Sequence, residues 1–237
     1  MREVSGATLP PMPSTLAELF AAAGVARTDV VRWRDPVGPP PSSSRVETGI
    51  YIVAFTDALD RVDGTLPKAP ISRRELQTLL DRRPECRLDG AQPSAAQLQR
   101  RMAEFWFSDE TVLYIGLAAK RSKRPTRGEL ANRVCEYYKT LIGAKSPHAG
   151  GFWLKALSCI KALYVHYAYC GDVDIAEGAC IKWFADHVSP ATRKTLRDSA
   201  HVMPFANLEY PPRTYKAHGI TGARGPLPKS VLGSRGG

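Results

Sequence analysis

The chain has 237 residues and a formal net charge of +10, with five cysteines and 43% hydrophobic residues. That length suits one domain with extensions, at roughly 100–200 residues per domain, and a surplus of cations suits a polyanionic partner. No apolar run is long enough for a membrane span, no C-x-x-C pair suggests a zinc ribbon or a redox site, and no secretory leader is visible, so a reduced, cytoplasmic protein is expected.

Residues 1–48 read as an N-terminal arm and linker. Ser14 is the expected cap of a short helix from Thr15 to Gly24, and Val37-Gly-Pro-Pro-Pro-Ser-Ser-Ser44 has linker composition. Gly49 to Phe55 is short, β-branched and almost continuously apolar, as a central strand is. Residues 56–110 read as a helical insertion. Ser72 begins a helix from Ile71 to Arg83, and Ser94 begins another that runs to Phe107. Its arginines Arg73, Arg74, Arg82, Arg83, Arg87, Arg100 and Arg101 suit either a phosphate-facing surface or a solvated one.

Thr111 to Gly116 is the second strand. Lys120, Arg121, Lys123, Arg124 and Arg127 follow in a basic loop and are candidate nucleic-acid contacts. The spacing predicts a helix over 128–143 with Leu130, Val134, Tyr137, Tyr138 and Leu141 inward, and Arg133 at the edge of that face. His148 lies beside two glycines, where it could touch a phosphate or move a proton. Phe152 to Leu157 reads as a short helix and Ile160 to Tyr169 as a third strand. The next helix, Asp172 to Val188, is capped by Asp172 or Asp174. It turns Ile175, Ala179, Trp183 and Phe184 inward and carries Glu177 in its first turns. A short helix from Ala191 to Ala200 follows. Residues 211–237 hold cations, prolines and glycines without an acid, and read as a flexible basic tail.

Four groups therefore leave four elements: Tyr51 and Tyr114 from two strands, Arg133 and Glu177 from two helices. Each alone is an ordinary structural residue. Together they resemble something specific. Gly49-Ile50-Tyr51 and Tyr114-Ile115-Gly116 resemble the two signatures of the GIY-YIG nuclease superfamily. Asn132 to Tyr138 resembles the helix that carries the family's arginine, Ala176 to Ile181 the start of the helix with its metal-binding glutamate, and Pro204-Phe-Ala-Asn207 its closing segment. The resemblance covers residues 49–210 apart from the insertion.

It implies an α+β fold: a small three-stranded antiparallel sheet flanked by helices, with the helical insertion between the first two strands. It also implies a metal-dependent endonuclease that hydrolyses DNA, in restriction, phage defence or repair, with RNA left open and a homodimer on DNA compatible with cutting both strands. Glu177 would hold one Mg²⁺ or Mn²⁺ ion, Arg133 would fork onto phosphate oxygens, and Tyr51 and Tyr114 would orient or deprotonate the attacking water. His148 would assist, and Gly49, Gly116 and Asn207 would support the site. Two departures stand out: residues 52–113 separate the signatures, and Leu117 occupies a place where many members have lysine. Lys120 could stand in for it. The alternative implied by Leu117 is a catalytically weak or inactive nucleic-acid-binding module of the same fold.

Overall fold

The computed structural model describes residues 13–33, 48–120, 129–144, 151–210 and 214–223. In chain order these form α1 (Leu16–Ala22), β1 (Asp29–Arg32), β2 (Gly49–Ala54), α2 (Arg73–Arg82), β3 (Arg87–Leu88), α3 (Ala95–Ala103) and β4 (Val112–Ala118). Next come α4 (Glu129–Lys139), α5 (Gly151–Lys155), a 3₁₀ turn (Ile160–Ala162), β5 (Tyr164–Tyr169), α6 (Val173–His187), α7 (Pro190–Thr195), β6 (Glu209–Tyr210), β7 (Thr214–Tyr215) and β8 (Ile220–Thr221). The class is α+β. The expected strands, insertion helices and Arg- and Glu-bearing helices are all present, with ends trimmed by a few residues.

The main sheet is antiparallel in the order β1-β5-β2-β4, so it has four strands rather than three. The extra strand comes from the N-terminal arm, which pairs Asp29–Arg32 with Tyr164–Tyr167. Four residues with both ends exposed give no alternation to read, so the sequence does not announce this strand; the linker expected over residues 37–44 lies outside the described residues. α1 is capped by Thr15 rather than Ser14, because Thr15 and Glu18 form a reciprocal cap. It buries Leu16, Leu19 and Phe20, and the Cys180 thiol of α6 donates to the Leu19 carbonyl at 3.2 Å.

β2 is buried along its whole length because it is hydrogen-bonded on both sides. α4 and α6 both pack on β2 and β4, and this is the arrangement that positions Arg133 and Glu177. The inward face of α6 runs through Val173, Ala176, Cys180, Ile181 and Phe184. That is about one residue of rotation from the expected stripe, so Ile175 is 74% exposed instead of buried. Glu177 consequently flanks the packed face. Asp172 sits at the N-cap of α6 without a side-chain capping bond. Leu141 is also exposed, because α4 ends at Lys139 and the chain then turns Ile142 inward.

The insertion is a brace. Arg82 Nη1 donates to the Ile142 carbonyl at 2.8 Å and Arg83 Nε to the Gly143 carbonyl at 2.7 Å, which ties α2 to the end of α4. Arg101 grips Asp89 through two bonds and also donates to the His218 carbonyl. Arg87 donates to the Pro84 and Cys86 carbonyls. These guanidiniums hold the fold, whereas Arg73, which donates to Gln99, and Arg74 and Arg100 are exposed.

The segment expected to be a flexible tail from 211 is, over 214–223, part of the domain. β7 pairs with β6, and β8 pairs with β3 of the insertion. Lys216 between them is 4% exposed, lies over the Phe105 and Trp153 rings, and donates to the Pro204 and Phe205 carbonyls at 2.9 and 2.8 Å. Burial pulls its amine well below the usual lysine range. Composition marked this stretch as polar and overlooked a lysine whose stem and head both have partners. The aromatic cluster beneath it, Phe105, Trp106, Trp153 and Phe205, joins insertion, α5 and closing segment through edge-to-face contacts.

Glu110, just before β4, is 1% exposed, and neither carboxyl oxygen has a hydrogen-bond partner among the described residues. Burial, with a smaller contribution from Asp109, pushes its pKa up to about 9. The folded chain therefore keeps a proton that the unfolded chain releases near pH 4.5. Stability from this group is full below 4.5 and is lost as pH rises toward 9. Glu110→Gln is expected to remove that slope, with wild type losing ~3 kcal/mol relative to the variant between pH 6 and 8, at about 1.4 kcal/mol per unit. Urea unfolding at the two pH values measures it, and parallel slopes would show that Glu110 is ionised in the fold.

Candidate active site

The site is built on the β2–β4 register. Tyr51 lies directly opposite Gly116, and Tyr114 lies opposite Val53. Tyr51 and Tyr114 are therefore diagonal neighbours on one face of the sheet. Their rings pack at 5.8 Å between centroids, tilted by 38°. Gly116 makes the room. A Cβ there would fall 2.4 Å from Tyr114 Cε1 and 2.8 Å from both Cζ and Oη of Tyr51. The phenols occupy the space that a side chain at 116 would take. Tyr51 is 1% exposed and Tyr114 is partly buried, so the pair is open on the Tyr114 side.

Gly49 allows the other close approach. A Cβ there would meet the Ala168 carbonyl oxygen at 2.2 Å and Leu130 Cδ2 at 3.0 Å. The second contact is with α4, so Gly49 lets the arginine helix sit down on β2.

Glu177 is half-buried on α6, and its carboxylate accepts from the backbone N–H of Leu117, the residue after Gly116. Its pKa is pushed up to about 7, chiefly by burial and then by the charges of Asp174 and Glu209. The Arg133 guanidinium and the Leu117 amide pull the other way. Arg133 and Glu177 thus lie within each other's field, as the strand-helix pattern predicts. Asp174 and Glu209 belong to the same neighbourhood and were not anticipated. Glu209 stands two residues past Asn207, which was the signal available.

Asn207 is 4% exposed and holds both backbone groups of Ile115, donating to its carbonyl at 2.7 Å and accepting from its N–H at 2.9 Å. Ala206 N–H adds a bond to the Leu113 carbonyl. The free edge of β4 is thereby closed between the residues that carry the site, as a partner strand would close it. Lys216, which holds the two carbonyls just before, fixes this segment from behind.

Lys120 is exposed at the exit of β4. Arg121, Lys123, Arg124, Arg127 and His148 lie outside the described residues. The described residues include no cluster of three His, Cys, Asp or Glu side chains arranged for a metal. A single desolvated carboxylate with acidic neighbours suits a hard cation that keeps most of its shell as water, which is the habit of Mg²⁺. No helix among the described residues is long and apolar enough to cross a membrane.

Comparisons with protein-family models, with curated proteins and with solved structures find no match to this chain.

Proposed function

We propose that the protein is a metal-dependent endonuclease of GIY-YIG type that hydrolyses phosphodiester bonds in DNA. The observation that carries this is the convergence on β4: two phenols packed over Gly116, and one residue further Glu177 on the Leu117 amide with Arg133 in its field. Phosphodiester hydrolysis needs an oriented water, cationic compensation for the pentavalent oxygens and help for the leaving oxygen. These residues supply each need.

Glu177 would hold the ion, and a divalent cation there supplies Lewis-acid stabilisation of the scissile phosphate and leaving oxygen. Arg133 presents planar donors to the non-bridging oxygens. Tyr51 orients or deprotonates the water, with Tyr114 as its ring partner. A phenol has an ordinary pKa near 10, so the base role requires the cationic field of Arg133 and the ion. The basic run from Lys120 to Arg127 would track the backbone. Leu117 supports the second reading, a binding module with little activity, because it offers an apolar side chain where a cation would help.

Supercoiled plasmid separates the two readings. The protein is expected to nick or linearise it with Mg²⁺ and to stop on chelation. Salt-sensitive binding without cutting, on plasmid, branched DNA and RNA alike, would select the binding module.

A further inference from the structure

Beside Glu177, and downstream along the same helix, lies a cavity of about 450 Å³ between α6, α7 and the β6–β7 hairpin. That volume falls within the ~300–1,000 Å³ of small-ligand pockets. Ile181 and Ala185 form part of its wall, and they follow Glu177 at i+4 and i+8. The pocket therefore continues the stripe of α6 on which Glu177 sits, beginning about 6 Å of helix rise away.

Tyr210 connects the two places. Its hydroxyl donates to the Gly178 carbonyl at 3.5 Å, and its ring lines the cavity. Glu209, the neighbour of Tyr210, is one of the charges felt by Glu177.

The lining has two characters. Ile181, Val202 and Met203 give an apolar floor beside the Tyr210 ring. Lys182 and Arg193 give cations, against the single lining carboxylate of Asp186. Lys182 pairs with Asp186 at 2.5 Å, but both side chains are more than half exposed, so that pair is weak and exchangeable. One amino group of Arg193 donates to the Ala185 carbonyl and seats the guanidinium on the wall. A free phosphate would leave the floor unused, and an apolar ligand would leave the cations unused. A planar base carrying a phosphate uses both, because bases stack on aromatic side chains and phosphates pair with guanidinium and ammonium groups.

We propose that this pocket takes one nucleotide of the substrate strand, adjacent to the scissile phosphate, with the base against Tyr210 and the apolar floor and a flanking phosphate on Lys182 and Arg193. The proposal rests on the nuclease reading. It makes the pocket a specificity element, since a seated base is read by the shape and polar groups around it.

Two variants at exposed positions test it. Ala200→Trp fills the cavity, and Lys182→Glu reverses a rim charge. Binding of a fluorescein-labelled oligonucleotide is measured in a Glu177→Ala background, which blocks cutting, and binding of a deoxynucleoside monophosphate is measured separately. Each variant is expected to weaken the oligonucleotide at least tenfold with an unchanged melting temperature. Lys182→Glu should also flatten the dependence on salt. The monophosphate should bind at least tenfold better than inorganic phosphate or the bare nucleoside, and Ala200→Trp should abolish that binding. If wild type cuts and both variants bind and cut like it, the pocket assignment fails alone. If the monophosphate binds but the oligonucleotide ignores Ala200→Trp, the pocket is a site for a free nucleotide and the strand assignment is overturned. If wild type neither binds nor cuts any nucleic acid, both readings fall.

Discussion

Glu177→Gln is expected to reduce plasmid cutting at least about a thousandfold while making the metal-free protein more stable. The first effect follows from the proposed role, because an amide is a poor ligand for a hard divalent cation and the phosphate would lose its charge compensation. The second follows from the physical state of the carboxyl. Its pKa is raised from 4.5 to about 7 by burial and by Asp174 and Glu209, against the pull of Arg133. Stability from such a group is full below pH 4.5, falls as pH rises, and is lost once pH passes about 7. Glutamine has no such loss, and its carbonyl oxygen can still accept from the Leu117 amide. The variant should therefore gain on the order of 1–2 kcal/mol at pH 8 in chelator, and little at pH 5. Added Mg²⁺ should stabilise wild type alone and narrow the gap, since only wild type holds the ion. Denaturant curves at the two pH values, with and without Mg²⁺, measure all of this alongside the cutting assay. Full cutting by the variant would remove Glu177 from the chemistry. A loss of stability at pH 8 would mean that the attraction of the Arg133 charge outweighs desolvation.

The parts of the fold that could be read in the sequence were those set by local pattern. Gly49 to Ala54 announces a strand buried on both faces because nearly every residue in it is apolar, and Ser94 announces a helix start because a cap is made within a few residues of the chain. What could not be read depends on partners distant in the chain. The fourth strand exists only through its pairing with β5, and 214–223 is ordered only through β3, β6 and the aromatic cluster around Lys216. The same limit applied to the face of α6. Its apolar residues spread around the helix, so both the expected stripe through Ile175 and the observed one through Cys180 were consistent with the spacing. At the candidate site the four principal residues were legible as a set, because their order and element types carry the resemblance. The register that places Tyr51 opposite Gly116, the acidic field of Asp174 and Glu209, and the clasp of Asn207 on Ile115 required coordinates.

Gly116→Ala is the smallest change expected to disable the proposed site while leaving its four candidate side chains chemically intact. The new methyl would lie 2.4 Å from Tyr114 Cε1 and 2.8 Å from Tyr51 Cζ and Oη, well inside contact distance. A flexible side chain could swing away, but Tyr51 is 1% exposed in a central strand and is not at the surface to swing into solvent. Tyr114 is the freer ring, so relief comes by rotating it outward or by parting β2 from β4. The first separates the phenols, and the second shifts Leu117 away from Glu177. Overpacking of this kind costs about 1–3 kcal/mol. A shift of about 1 Å at a positioned site can cost on the order of a hundredfold in rate. Gly116→Ala is accordingly expected to melt lower and to cut at least a hundredfold more slowly, yet to bind DNA within a few-fold of wild type, because the proposed phosphate contacts lie elsewhere. A second change that shrinks the outer ring, Tyr114→Leu, should recover the lost stability in the Gly116→Ala background without recovering cutting. Near-normal cutting by Gly116→Ala would show that the packed geometry of the two phenols is incidental to catalysis, and the tyrosines would then have to be assigned to the core.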